Sequence, residues 1–433
     1  MRRFAFSLLV VAFTAPTAIA QRPITLEEAV TLAQRNAPQA VQAQGQARTS
    51  AAALRSAYGA FLPNVTLSAG ANRQIPSGGT TRFENGEIIT VADEPWSSSL
   101  GLGANVELFD GGRRIFDVRQ ARARKTAAEV NEVTQRFGVA LTAKQRFFDV
   151  LAARESQAAA AAQLEQAEQQ RRVSVARTRA KAATRSDSLR AEIQVRNAQL
   201  AVLEARNALQ TADASLTRAV GSPEPVTADA ADSLDRPTLA LDEAALRALA
   251  QNGPLVQGAD AELDAARAAA SAAWTDYLPS VTASYSRSGS GVGESPTLAG
   301  DNFAYSGAFR LSLSFPLFNQ FQRESQVVQA QVARQNADAA LRDTRLAALE
   351  SLTQAHGGFQ SAAERVASQT ATVAAAEEDL RVQQQRYAVG GSTLLDVLTS
   401  QTQLDQARRD LIRARYDQRV AKAQLEALVG RDL

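Results

Sequence analysis

The sequence contains no cysteine and only one histidine. Without cysteine, the chain can form neither disulfides nor thiolate metal sites, and it lacks the residue that carries the lipid anchor of some exported bacterial proteins. His356 is accompanied by no other metal-ligand type at a suitable spacing and by no serine in a nucleophile-elbow setting, so neither metal binding nor nucleophilic catalysis is predicted there. We therefore expect a protein that is not an enzyme and that holds no cofactor or metal ion.

Long apolar runs are also lacking after the first residues. Residues 1–20 combine the basic pair Arg2-Arg3, an apolar stretch and the small-residue site Ala18-Ile19-Ala20, which predicts a cleaved secretory signal peptide. Its removal takes away two of the 47 basic side chains, so 45 remain beside 45 acidic ones, and this balance gives no support for nucleic acid as a partner. No later segment approaches eighteen consecutive apolar residues, so insertion into a membrane would require a β-barrel.

What the chain does contain is one pattern that occurs twice. Leu62-Pro63 recurs 216 residues later as Leu278-Pro279. The offset then becomes 209 and holds without a gap as far as Val220-Gly221, which matches Val429-Gly430. Two constant offsets over this length predict an internal duplication. The predicted division is a first repeat at 21–221, a proline-rich connector at 222–240 and a second repeat at 241–433.

A seven-residue spacing dominates the end of each repeat. Within 184–220 one series of apolar residues and one series of alanines both recur every seventh residue. The segment 394–429 repeats the arrangement except at Gln418 in the first series and at Ser400 and Leu428 in the second. This period predicts α-helices that supercoil on neighbours, and the alanine rows predict close approach. We expect long helical hairpins at about 111–220 and 319–429. The first apolar series is Val195, Val202, Leu209 and Leu216; the alanine series is Ala191, Ala198, Ala205, Ala212 and Ala219.

Before each helical hairpin the period changes from helical to two. The alternation predicts β-hairpins at about 64–109 and 280–318, with one apolar and one polar face. The polar, glycine-rich segments 75–95 and 287–301 are predicted to be loops. A half-buried soluble hairpin would show a similar alternation. In the second repeat, the residues expected to face lipid are Phe309, Leu311, Leu313 and Phe315.

The segment Arg386-Tyr387-Ala388-Val389-Gly390, followed by Leu395-Asp396-Val397-Leu398, resembles the TolC-like outer-membrane efflux protein family, also called outer membrane factors. The resemblance covers the whole mature chain. It implies an α+β membrane protein in which long heptad-repeat helical hairpins form a trimeric α-barrel in the periplasm. A transmembrane β-barrel with four strands per chain would cap this α-barrel. Four strands cannot close a barrel, since eight is the practical minimum in a bilayer, so several copies would have to combine.

The resemblance also implies roles for the two turns between long helices. In the family a tyrosine of the second turn bonds an aspartate of the first, and Tyr387 and Asp187 match that pair. Ser392 occupies the position of the family's interchain arginine. Asp396 matches one of two constriction aspartates, whereas Thr399 replaces the other. These five residues form the predicted periplasmic gate. Asp187 and Asp396 could equally be carboxylates that stabilise the first turn of a helix.

Two further expectations concern the partners. By resemblance, a glycine in each turn contacts a periplasmic adaptor, so Lys181, which stands at the first glycine position, and Gly390 with Gly391 are predicted docking residues. The expected function is the outer-membrane channel of a tripartite efflux or type I secretion system. An inner-membrane pump of the resistance-nodulation-division or ABC type would deliver substrate through the adaptor. The sequence does not identify the transported substrate. The alternative is a periplasmic coiled-coil scaffold without channel activity.

Overall fold

A computed structural model describes residues 21–73, 80–84, 86–91, 96–229, 239, 242–298 and 303–433. The predicted signal peptide at 1–20 and the greater part of the connector, 230–238 and 240, lie outside these residues. The chain divides into two compact units. The first contains Met1–Gln42, Val133–Gly253 and Ala348–Leu433, and the second contains Ala43–Glu132 and Pro254–Ala347.

The chain alternates short helices, strands and long helices. The helices are α1 (Leu26–Asn36), α2 (Pro38–Gly59), α3 (Arg113–Arg179), α4 (Arg185–Val220), α5 (Glu243–Gln251), α6 (Pro254–Ala273), α7 (Gln322–Ala388) and α8 (Leu394–Val429). The strands are β1 (Arg22–Ile24), β2 (Asn64–Asn72), β3 (Thr80–Glu84), β4 (Glu87–Val91), β5 (Trp96–Phe109), β6 (Val226–Ala228), β7 (Ser280–Gly293) and β8 (Phe303–Ser314). No helix in the described ranges is long and apolar enough to cross a membrane.

The duplicated sequence forms matching helices. α3 and α7 each contain 67 residues, while α4 and α8 each contain 36. A matched contact also recurs where strand gives way to helix in the second unit. The Arg114 guanidinium lies 4.8 Å from the centroid of the Phe61 ring, and that of Arg323 lies 4.8 Å from the centroid of the Tyr277 ring. Such cation–π contacts fix the entry of each long helix against the end of the preceding short one.

The core of the first unit lies between the long helices and α1. Ile24, Phe147, Leu216 and Val220 are fully buried there, together with several alanines that allow the helices to approach closely. The heptad seam of α8 is buried at Leu404, Ala407, Leu411, Ala414, Ala421 and Leu425. The predicted seam residues of α4 are buried only toward its ends, at Ala191, Val195, Ala198 and Leu216. Burial therefore follows the seven-residue spacing in both repeats, but it extends over more of α8 than of α4.

The second unit contains an antiparallel sheet of order β2-β5-β7-β8. Its edge strands are β2 and β8, and a β-bulge interrupts the pairing between Glu107 and Phe109 of β5. The bulge shifts the alternation by one residue, because Phe109 instead of Leu108 pairs with Val281.

The loops predicted at 75–95 and 287–301 are corrected by the structure. The first contains the hairpin formed by β3 and β4. The start of the second belongs to β7, which pairs with β5 as far as Gly293 opposite Trp96. Serine and glycine at 288–291 do not give an apolar alternation, but ladder hydrogen bonds come from the backbone and need no apolar side chain.

Candidate functional site at the helix turns

The turn between α3 and α4 is built on a residue in the left-handed backbone region. Lys181 has φ 59°. Its N–H donates to the Thr178 carbonyl at 3.1 Å, and the Ala182 N–H donates to the Arg177 carbonyl at 2.9 Å. This pair of bonds is the Schellman pattern, which satisfies the last carbonyls of a helix and usually has glycine at the left-handed position. The lysine side chain therefore projects from a backbone that glycine would adopt more easily.

The turn between α7 and α8 repeats these bonds 209 residues later. Gly390 has φ 82°. Its N–H donates to the Tyr387 carbonyl at 3.2 Å, and the Gly391 N–H donates to the Arg386 carbonyl at 2.7 Å. Ser392 donates its hydroxyl to the Gln383 carbonyl at 3.2 Å. Ser392 is therefore held by its own chain in this turn.

Both aspartates of the predicted gate close capping boxes. The Asp187 N–H donates to Thr184 Oγ1 at 3.2 Å, and the Thr184 N–H donates to Asp187 Oδ2 at 3.0 Å. Thr393 and Asp396 repeat the arrangement at 3.3 Å and 2.8 Å. The structure thus places both carboxylates in the helix-stabilising role that was the alternative.

These bonds also set the charge state of the carboxylates. The hydroxyl and N–H of Thr184 hold the pKa of Asp187 below its usual range. The N–H and hydroxyl of Thr393 do the same for the pKa of Asp396. Both groups are therefore ionised at neutral pH within one chain. Mutual repulsion between several copies of Asp396 would act in the opposite direction and raise the pKa of that carboxyl.

The expected hydrogen bond between Tyr387 and Asp187 does not form among the described residues. The Tyr387 hydroxyl is buried and has no hydrogen-bond partner there. Instead, Arg177 donates to the Tyr387 carbonyl at 2.8 Å and lies 4.4 Å from the centroid of its ring. Asp187 Oδ2 accepts instead from the N–H and the hydroxyl of Thr184, at the start of its own helix.

Arg177 is the functional candidate that the sequence interpretation missed. It joins the two turns through Tyr387, and its charge contributes, as a minor cause, to the lowered pKa of Asp187. A signal was present in the sequence: the offset of 209 aligns Arg177 with Arg386, the first residue of the Arg386–Gly390 motif. The counterpart of that motif in the first repeat therefore begins at Arg177.

The remaining gate residue, Thr399, turns back to its own helix. Its hydroxyl donates to the Leu395 carbonyl at 2.9 Å, and its side chain is exposed. Asp396 is exposed as well. The described residues include no group of three or more histidine, cysteine, aspartate or glutamate side chains that could hold a metal ion.

The strand residues expected to face lipid lie on an exposed apolar face. Phe309 is 72% exposed, Leu311 61% and Leu313 71%. They pair across β7 with Tyr285, Ala283 and Val281. Phe315 follows the end of β8 and is 52% exposed. The face continues into the first repeat at Val65 and Leu67 of β2, so a broad apolar surface spans the sheet.

The chain matches a model of outer membrane efflux proteins over residues 29–222 and 245–431. Protein CyaE of Bordetella pertussis is 27% identical over 347 residues, which cover 78% of this chain and 70% of CyaE. The cobalt-zinc-cadmium resistance protein CzcC of Cupriavidus metallidurans is 27% identical over 372 residues, which cover 83% of this chain and 84% of CzcC. The solved open state of the MtrE outer membrane channel of Neisseria gonorrhoeae has the same fold, with a TM-score of 0.75 at 19% identity over 99% of this chain and 97% of MtrE.

The matched ranges include both repeats and both helix turns. The structural likeness extends over nearly the entire length of each chain, so the mostly helical TolC-like fold is common to both. Proteins of this family are channel and efflux proteins of the outer membrane and not enzymes. This chain belongs to the outer membrane efflux protein family.

Proposed function

We propose that three copies of this chain form a passive exit duct in the outer membrane of a bacterium. In this assembly the four-stranded sheets join into one transmembrane β-barrel, and the long helices form an α-barrel in the periplasm. An inner-membrane pump delivers substrate to the duct through a periplasmic adaptor. The observation that carries the proposal is the sheet of the second unit, which combines an exposed apolar face with two open edges.

The open edges support assembly. Each of β2 and β8 has only one neighbour in the sheet, so half of its backbone groups lack a strand partner within the described chain. An exposed apolar edge is an aggregation hazard in water, and unpaired backbone groups are not tolerated in the hydrocarbon of a bilayer. Pairing β8 of one copy with β2 of the next removes both problems.

Aromatic side chains support a membrane boundary near the ends of the strands. Tyr58 and Trp274, which occupy equivalent positions in the repeats, are 47% and 54% exposed. Phe318 and Phe321 are 70% and 68% exposed, and their rings meet edge to face. Rings of aromatic residues at the interfaces are typical of outer-membrane barrels.

The helix turns are proposed as gate and docking surface. Arg177 and Tyr387 would hold the two turns of one chain together, and the exposed Asp396 of several copies would place negative charge at a narrow opening. Lys181, Gly390 and Gly391 are exposed and form the tips that an adaptor would contact. Ser392, bound to its own chain, does not provide the interchain link expected of an arginine at this position.

The comparisons leave two classes of pump open. CzcC is named for cobalt, zinc and cadmium resistance, whereas the name of CyaE gives no cargo. The duct proposed here would serve either a resistance-nodulation-division pump or an ABC-type secretion pump. A scaffold without a channel is not favoured, because it would have no use for the exposed apolar sheet face.

The proposal is tested by fractionation, native electrophoresis and planar bilayers. The wild-type protein should sediment with outer membranes, run as a trimer in mild detergent and conduct ions after reconstitution. Asp396→Asn should weaken a preference for cations if this residue lines the opening. A soluble monomer that forms no conducting species would contradict the proposed function.

A further inference from the structure

The polar face of the four-stranded sheet carries very few charges. The strand register assigns Thr66 and Ser68 of β2, Gly101 and Gly103 of β5, and the serines of β7 to one face. Side chains on this face are serine, threonine, asparagine, glycine, alanine or valine at all described positions except two. The exceptions are Glu107 on β5 and Arg310 on β8.

The register fixes the positions of these two charges. Arg310 pairs with Ser284 of β7, and Ser284 pairs with Asn105 of β5. Glu107 is the next residue of β5 on the same face and pairs with Thr282. Glu107 and Arg310 are therefore two strands apart, about 10 Å across the sheet, and offset by two residues, about 7 Å, along it.

Neither charge is neutralised by a neighbour in the described chain. Both side chains are exposed, and neither side chain makes a hydrogen bond or ion pair with another described residue. The other charged residue of these strands, Arg287, lies on the apolar face and contacts the Tyr305 ring at 5.6 Å. Glu107 and Arg310 are thus the only charges that β2, β5, β7 and β8 present to the polar side over their described residues.

We infer that Glu107 and Arg310 form a belt of alternating charge around the lumen of the channel and set its ion preference there. The inference rests on the proposed function, because it requires the polar face to line a ring of joined copies. Within one sheet, two strand steps separate Glu107 from Arg310. From Arg310 to the Glu107 of the next copy, through its β2, there are again two steps. Around three copies, the signs therefore alternate every two strands.

The belt is balanced in the wild type and unbalanced by either single neutralisation. With equal numbers of both signs, the belt favours neither cations nor anions. Removing Arg310 leaves unpaired carboxylates on a wall otherwise covered by small neutral side chains, and removing Glu107 leaves unpaired guanidinium groups. An unpaired unit charge about 10 Å from an ion in water changes the local ion concentration about twofold. The two variants should therefore shift ion preference in opposite directions.

The test measures the reversal potential of reconstituted channels in a KCl gradient. Low salt is chosen, because screening extends over about 30 Å at 0.01 M but only about 8 Å at 0.15 M. Arg310→Gln should raise the ratio of K⁺ to Cl⁻ permeability about fourfold, because K⁺ is enriched and Cl⁻ is depleted by about twofold each, and Glu107→Gln should lower the ratio by a similar factor. The double variant should return to the wild-type value. Ser306→Gln, on the same face of β8, is the matched control for added bulk without a change of charge.

Each set of variants is measured in wild type and in Asp396→Asn, so that charge at the helix turns does not mask the belt. Trimers on native gels confirm that each variant assembles. If Arg310→Gln and Glu107→Gln leave the reversal potential unchanged or shift it in the same direction, the inference of a charged belt is wrong. The proposed channel function would not be affected by that result. A wild-type protein that conducts no ions would instead contradict the proposed function and the belt with it.

Discussion

The two repeats reach the same backbone with different residues. At the turn from strand to long helix, the first repeat has Gly111 and Gly112, with φ of 68° and 86°. The second repeat has Gln320 and Phe321 at the equivalent positions, with φ of 59° and 61°. At the turn between long helices the second repeat has the glycine, since Lys181 of the first repeat corresponds to Gly390 of the second. The surrounding fold therefore imposes the left-handed conformation even where the residue disfavours it.

The last helices of the two repeats, α4 and α8, differ in which side chains they bury. α8 buries its heptad seam along most of its length. α4 leaves apolar side chains exposed along one flank, with Leu189, Ile193, Leu200 and Leu203 between 54% and 59% exposed. The equivalent positions of α8 are the polar, exposed Thr402 and Arg409 and the half-buried Leu398 and Ile412. The first repeat thus retains an apolar helix surface that the second does not, which is expected where α4 contacts another copy.

The largest effect should come from charge on the apolar sheet face. Leu311→Arg is expected to cost about 2–4 kcal/mol if the residue lies near the bilayer midplane, because a charge there must enter hydrocarbon. Ser312→Arg, on the polar face one residue away, should cost little. Folding into lipid bilayers, followed by denaturant titration, measures both. Equal costs at the two positions would contradict the assigned faces, and the equivalent change at Leu102 should reproduce the effect in the first repeat.

The glycine turn of the first repeat provides the next test. A methyl group on Gly111 would lie 2.8 Å from the Thr275 carbonyl oxygen and 2.9 Å from Leu278 Cβ. Gly111→Ala should therefore cost the strain of a left-handed residue, about 1–3 kcal/mol, plus that of the overlap. Nothing lies within 4 Å of the equivalent position on Gly112, so Gly112→Ala should show the backbone cost alone. Thermal unfolding compares the two, and a larger loss for Gly112→Ala would show that the contacts are misassigned.

The alanine seam separates packing within a chain from packing between chains. Ala198 is 1% exposed, so Ala198→Leu should cost about 1–3 kcal/mol through overpacking. Ala205 is only half-buried in the single chain, so leucine there should weaken the trimer only if a neighbouring copy packs against α4. Trimer dissociation on native gels over a detergent series measures this. If the Ala205→Leu trimer is as stable as wild type, this part of α4 does not pack closely against a neighbouring copy.

The smallest effect is expected at Lys181. Lys181→Gly should stabilise the chain by about 0.5–1 kcal/mol, because the left-handed strain of about 1–2 kcal/mol exceeds the added entropy of unfolded glycine. Gly390→Lys should destabilise by a comparable amount, since space is open there and only the backbone resists. Chemical unfolding midpoints give both values. If the two exchanges change stability in the same direction, the turns are not equivalent.

The sequence predicts the long helices well, because the seven-residue spacing of apolar residues continues over many turns. Regular burial of these residues stabilises the helices. It also places the strands through the alternation at Val65 and at Phe309–Leu313. It fails where backbone alone decides, as at 288–293, where β7 continues without an apolar pattern. It also fails at Arg177, whose contact with Tyr387 joins two residues that are 210 positions apart in the chain. Such tertiary contacts leave no local period, and only the offset of 209, which aligns Arg177 with Arg386, indicates this residue.

The central claim is that β8 of one copy pairs with β2 of the next. Since the chain contains no cysteine, one cysteine in β2 at Ser68 can be combined with single cysteines along β8 at Ser306, Ala308 and Ser312. Within one sheet β5 and β7 separate these strands, a gap of about 14 Å, while a disulfide requires Cα atoms within about 7 Å. Oxidation should therefore form disulfides between copies and not within one chain. At the β8 position that lies opposite Ser68 of the neighbouring copy, we expect covalent dimers and trimers and no larger species. Only monomers at every position, or ladders beyond the trimer, would contradict the claim.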